Sequence, residues 1–213
     1  MIQIKRFVTN PIGENCYLVW DDTLACAVID CGAWGEDKET KIARFIEENH
    51  LVPTLSLQTH MHFDHILGLH FLHRTYGLRP LCHAGEIPIY DAAAGMARDW
   101  FGLLIPEPLV PVERFLAHEE ELRFGSTYLR VIHTPGHTPG SVMFYQPDEK
   151  VLFSGDTLFQ GSVGRTDTPG GDMEQEITAL RERVLTLSDD VVVYPGHGPS
   201  TTIGDERLHN PYL

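Results

Sequence analysis

The sequence predicts an α/β protein made of two similar halves. Short runs rich in Val, Ile, Tyr and Phe recur along the chain, separated by longer segments whose apolar residues fall at helical spacing. In each half the strand-like runs come first and a helix follows. That order hints at an old duplication, although no residue-level repeat is visible. The 213 residues, 42% hydrophobic and 22% charged, suffice to fill a core and exclude a disordered or fibrous protein. With no linker or low-complexity stretch, residues 1–213 are expected to form a single domain.

The elements follow in order. Met1–Phe7 reads as a strand. Asn15–Trp20 and Ala25–Asp30 form a hairpin across Asp21-Asp22. Glu36–Asn49 is a helix with Ile42, Phe45 and Ile46 as its apolar stripe and Asn49 as its C-cap. Val52–Thr59 is a strand, and Ile66–Tyr76 a helix stopped by Gly77. Pro80–His83 is a short strand and Gly85–Gly102 a helix. Tyr128–His133, Ser141–Gln146 and Val151–Ser154 are strands, the last two turning at Pro147-Asp148. In Asp172–Leu187, Asp172 and Gln175 resemble a capping box ahead of Met173, Ile177, Leu180, Val184 and Leu187 at helical spacing. Val191–Tyr194 is apolar throughout, which predicts a strand buried on both faces.

Charge and composition exclude several functions. Thirty acidic against sixteen basic residues give a net charge of −14. A nucleic-acid backbone or an anionic membrane surface would be repelled, and no basic cluster offsets this. No apolar run approaches the roughly 18 residues of a membrane helix. The N-terminus has neither an apolar h-region nor a cleavage site, so a cytoplasmic location is expected. Cys16, Cys26, Cys31 and Cys82 lack CxxC spacing and read as free, buried or half-buried thiols.

The chemistry lies in Thr59-His60-Met61-His62-Phe63-Asp64-His65. Chance would supply roughly 0.003 HxHxDH matches in such a chain. Imidazoles and carboxylates at this spacing suit a borderline divalent ion. A loop leaving the strand can aim His60 and His62 at one point and Asp64 and His65 at a second. Three further candidates follow strands: His137 in Thr134-Pro135-Gly136-His137, Asp156 in Ser154-Gly155-Asp156, and His197 in Tyr194-Pro195-Gly196-His197. Each has a glycine directly before it, where crowded backbone favours one. Five His and two Asp exceed the needs of one ion and argue for two. Zinc is the first expectation, with iron or manganese as alternatives. Asp156, apart from both triplets, suits a bridging carboxylate.

This series resembles the metallo-β-lactamase fold superfamily over nearly the whole chain. The resemblance implies a four-layer αββα sandwich with the site at one edge between two sheets. It implies His60, His62 and His137 on one metal, Asp64, His65 and His197 on the other, and Asp156 between them. Asp30 matches a family Asp behind the ligands. It would support a ligand histidine, or else be an ordinary turn residue.

Lactamases of this fold usually carry Cys or Ser where Asp156 stands. Gly155–Phe159, Gly164–Asp167 and the tail Glu206–Leu213 are instead similar to glyoxalase II, the hydroxyacylglutathione hydrolases, and to their short bacterial members in particular. The glutathione contacts of the long members do not carry over as such, since Arg165 and Asp167 replace a Lys and a Tyr and Pro199 replaces a second Tyr. Arg165 is either a carboxylate clamp or a structural ion pair with Asp167 or Asp172. The implied activity is thioester hydrolysis of small S-lactoylglutathione-like substrates by a hydroxide held between two metals and oriented by Asp64. The alternatives are an iron-dependent persulfide dioxygenase using His60, His137 and Asp156, another ester or lactone hydrolase of this fold, and a non-catalytic metal-binding protein. Asp99–Pro106 reads as core, with a pocket wall or subunit contact as its alternative. His70 and His73 read as exposed helix histidines rather than an extra site. The sequence leaves the oligomeric state open.

Overall fold

The computed structural model describes residues 1–213. The first half forms a six-stranded sheet in sequential order: β1 (Gln3–Val8), β2 (Asn15–Trp20), β3 (Ala25–Ile29), β4 (Val52–Leu57), β5 (Pro80–His83) and β6 (Arg114–Leu116). The first three strands pair antiparallel and the rest parallel. Parallel pairing requires crossovers. Here α1 (Glu36–Glu48) links β3 to β4, and α2 (Phe63–Ile66) and α3 (Leu69–Tyr76) link β4 to β5. A third crossover, from β5 to β6, contains α4 (Ile87–Phe101).

The second half repeats the plan. β7 (Glu121–Phe124), β8 (Thr127–His133), β9 (Val142–Gln146) and β10 (Val151–Gly155) run antiparallel. A small hairpin, β11 (Leu158–Phe159) and β12 (Ser162–Val163), follows, then α5 (Met173–Ala179), which continues as a wider turn to Val184. β13 (Val192–Pro195) then pairs parallel with β10. β14 (Thr201–Thr202) and α6 (Ile203–His209) complete this half.

Side-chain alternation builds the layers. Along β2, Tyr17 and Val19 face the space between the sheets while Cys16, Leu18 and Trp20 face α1 and α3. On β9, Val142 and Phe144 point inward and Met143 and Tyr145 point toward α5. Both faces of each sheet are therefore covered, and the result is the expected αββα sandwich. Fully buried rings such as Phe144 and Phe153 in the central layer each contribute about 1.5–3 kcal/mol relative to exposure.

Local signals explain most boundaries. Gly77 and Gly102 end α3 and α4 in the left-handed conformation, and the Asp172 side chain accepts from the Gln175 N–H to cap α5. The predicted helix 66–76 is instead broken at Gly68, whose N–H donates to the Cys31 carbonyl and whose Cα has no room for a side chain beside that residue. Met173 is exposed, so the buried stripe of this helix starts later than its pattern suggested. The four thiols are free and buried. No helix is long and apolar enough to cross a membrane.

Candidate metal centre

The parallel strand pairs place the functional loops at one edge of the sandwich. β3 and β4 end side by side, with Ile29 opposite Leu57, so Asp30 and Thr59 emerge together. β10 and β13 end with Gly155 opposite Pro195, which brings Asp156 and His197 out at neighbouring positions. A crevice beyond the carboxyl ends of parallel strands is where open α/β sheets carry their ligands. The two sheets are stitched there: Asn15 donates its N–H to the Gly196 carbonyl at 2.7 Å, and the Tyr17 hydroxyl donates to the Pro195 carbonyl at 2.7 Å.

All seven candidates meet at this edge. One ligand atom each from His60, His62 and His137 lies within 4.8 Å of the others, and Asp64, His65 and His197 form a second group of the same size. Asp156 lies between the groups. Its carboxylate is 3.4 Å from His65 Nε2, 3.5 Å from His197 Nε2 and 4.0 Å from His137 Nε2. Asp64 Oδ2 is 3.1 Å from His197 Nε2. A further grouping, Asp30 with His60 and His65, shows how tightly the second group adjoins the first.

Glycine precedes His137, Asp156 and His197 for a visible reason. A Cβ on Gly196 would strike Asp156 and His65, one on Gly155 would strike Thr59, and one on Gly136 would strike Glu176. Gly155 and Gly136 also have φ of +52° and +153°. At Gly196 the crowding comes from the site's own side chains, at Gly155 from Thr59 and at Gly136 from α5.

The electrostatics suit divalent ions. Burial first, then neighbouring imidazoles, holds His60 well below the usual histidine range. Burial, then His137, pushes His62 down to about 3. Burial also lowers His137. These shifts favour the neutral ring, the form that binds a metal. In the second group burial opposes charging, but Asp156 and Asp64 outweigh it and raise His65. His60 Nε2, His65 Nε2 and Asp156 Oδ1 are buried with no hydrogen-bond partner. Such donors are costly to leave unpaired, and two cations would satisfy them. The donor set of imidazoles and carboxylates fits zinc, iron or manganese.

A surrounding set of groups aims the ligands. Asp30, 2% exposed, accepts from the Thr59 N–H at 2.8 Å and lies 3.1 Å from His65 Nδ1. It therefore stands behind a candidate ligand histidine, and the exposed-turn alternative is set aside because Asp30 is buried. His137 Nδ1 donates to the Arg165 carbonyl at 2.8 Å. The Arg165 guanidinium is held by Asp167, at 2.8 Å and 3.0 Å, while Asp172 caps α5. Arg165 still lines the cleft over the seven residues, a cavity of about 290 Å³.

Two features escaped the sequence reading. Glu86, fully buried, accepts from the Met61 N–H at 2.7 Å, the Gly140 N–H at 2.9 Å and the Thr138 hydroxyl at 2.5 Å. It ties the His60–His62 loop to the His137 loop. Glu14, also fully buried, accepts from the Thr9 hydroxyl and packs against Gly32. Neither Glu belongs to a local motif: the partners of Glu86 lie 25 to 54 residues away, and Glu14 is bonded by a hydroxyl rather than by a patterned neighbour. The segment Asp99–Pro106 divides: Leu103 and Ile105 are buried as expected, but Trp100 and Phe101 are half-exposed and line the cleft. His73 is exposed as expected, while His70 is half-buried, its ring 3.0 Å from the Pro106 carbonyl.

Comparison with known proteins agrees. The chain is 37% identical to hydroxyacylglutathione hydrolase GloC of Haemophilus influenzae, over 100% of this chain and 98% of that one. A di-iron-bound crystal structure of TTHA1623 superposes with a TM-score of 0.87 at 39% identity, covering 98% of this chain and 100% of that one. The BLEG-1 B3 metallo-β-lactamase superposes at 0.90 with 35% identity and 99% coverage of both. The metallo-β-lactamase superfamily profile matches residues 9–197, and the chain belongs to that superfamily.

Proposed function

We propose that this metal-dependent hydrolase cleaves thioesters, with S-lactoylglutathione as the reference substrate. The observation that carries this reading is the placement of Asp156 between two three-residue donor groups at the floor of an open cleft. Two divalent ions held there, one by His60, His62 and His137 and one by Asp64, His65 and His197, would supply Lewis acidity and water acidified toward neutral pH.

The chain supplies the rest. Asp64 lines the cleft and its Oδ2 points at His197, so it can orient the attacking water and accept its proton. Asp30 and the Arg165 carbonyl lock the rings of His65 and His137, so the donors need no rearrangement during reaction. Water delivers its oxygen to the acyl carbon, the carbon–sulfur bond breaks, and the departing thiolate takes the proton. The Haemophilus relative's name supports glutathione as the thiol carrier. The BLEG-1 likeness supports a β-lactam amide as a second substrate to assay.

The test is metal analysis of the purified protein together with thiol release from S-lactoylglutathione. Two ions per chain with turnover are expected. Iron with oxygen uptake on a glutathione persulfide would replace this reading with the dioxygenase, and nitrocefin as the only substrate turned over would replace it with the lactamase.

A further inference from the structure

A second cavity, of about 280 Å³, opens beside the metal cleft and shares His62, Met96 and Trp100 with it. Its walls differ in kind. Pro88, Ala92, Met96 and Trp100 recur every four residues and form one stripe along α4. The adjacent stripe, Tyr90, Ala93 and Ala97, is buried in the protein's own core. α4 therefore carries two apolar faces, and only one is covered by the chain. Pro139 and Pro169, from two other loops, close the far side. Apart from His62 at the shared boundary, no ionisable residue lines this space.

We propose that this compartment takes the apolar acyl group of the substrate, extending the thioesterase reading above, on which it rests, to acyl chains longer than lactoyl. The compartment opens at His62, in the first donor group, beside the place where the scissile carbonyl must lie for attack from the cleft. An acyl chain running from that carbonyl enters the cavity directly. An anionic carrier arm finds no match there, since no Lys or Arg lines the compartment and Arg165 borders only the metal cleft. Size agrees, because the two connected spaces together reach the range of small-molecule sites. A lactoyl group would leave the inner space unfilled.

The test uses the full-length, metal-loaded protein and N-acetylcysteamine thioesters of acetic, butyric, hexanoic and octanoic acid, beside S-lactoylglutathione. Each methylene that enters the compartment should raise kcat/KM about fourfold until the space is full. Ala92→Trp, which fills the compartment, should flatten this series. Octanoate, the product of the longest substrate, should change tryptophan fluorescence in the native protein and not in Trp100→Phe, a readout that needs no turnover. Hydrolysis of all thioesters at equal efficiency, with no octanoate response, overturns the acyl compartment and leaves the thioesterase standing. An octanoate response with no thioester cleaved keeps the compartment and overturns the thioesterase. A flat series in a dimer that Trp100→Glu dissociates assigns the cavity to a second copy of the chain and overturns the proposal.

Discussion

The two walls of the cleft are built by opposite means. On the metal side the loops carrying His60–His65 and His137 are pinned by buried polar groups: Asp30 holds Thr59 and His65, and Glu86 holds Met61, Thr138 and Gly140. His60 and His65 are 1% and 0% exposed. On the α4 side the wall is apolar, and Trp100 and Phe101 are 54% and 51% exposed. Metal ligation tolerates little positional error, so directional bonds fix the first wall. Shape suffices for an apolar substrate arm, so the second wall needs only side chains of suitable size. On the proposed reading, chemistry and specificity lie on separate walls.

The largest expected effect comes from breaking the metal wall itself. His62→Ala should lower metal content and reduce turnover more than about 100-fold, beyond the loss typical of a group that merely supports a ligand. Elemental analysis and thiol release on the same sample check it. Full metal with full activity would remove His62 from the site.

A smaller effect tests the bracing. Glu86→Gln keeps the size but presents an amide to donors that now meet a carboxylate. We expect roughly 10- to 100-fold weaker metal binding in competition with a chelator, and turnover restored by excess metal. Unchanged affinity with a lowered melting temperature would mean that Glu86 only supports packing. The comparison sharpens if Trp100→Phe, on the opposite wall, leaves metal affinity untouched.

This contrast also explains what the sequence could reveal. The clustering on the metal wall was legible because HxHxDH is local and the remaining candidates each follow a strand and a glycine, as at Gly155-Asp156 and Gly196-His197. The long amphipathic elements were legible for a similar reason: Ile42 and Ile46 mark the buried face of α1 within one turn of each other. Glu86 was not, because its partners, two backbone amides and a threonine hydroxyl, lie 25, 54 and 52 residues away. The strands β6 and β7, three and four residues long, are too short to show a period. The second stripe on α4 was hidden because Pro88, Ala92, Met96 and Trp100 look like ordinary core, whereas Pro88, Ala92 and Trp100 are exposed and Met96 is only half-buried.

Arg165 stands where the two walls meet, and it carries the smallest and most discriminating prediction. Its side chain is 64% exposed and pairs with that of Asp167, which is 72% exposed. Exposed pairs of this kind contribute little. Its main-chain carbonyl, which steadies His137, survives any substitution of the side chain. Arg165→Ala should therefore leave metal content unchanged and alter KM for S-lactoylglutathione less than about threefold. A carboxylate clamp predicts otherwise: KM would rise more than about tenfold with kcat unchanged, the signature of lost uniform binding. Asp167→Ala separates the two, because freeing a clamp from its competitor lowers KM whereas removing a surface ion pair does not. A drop in KM in that variant would give the anionic arm of the substrate a partner on this rim, and leave the α4 compartment to the acyl group alone.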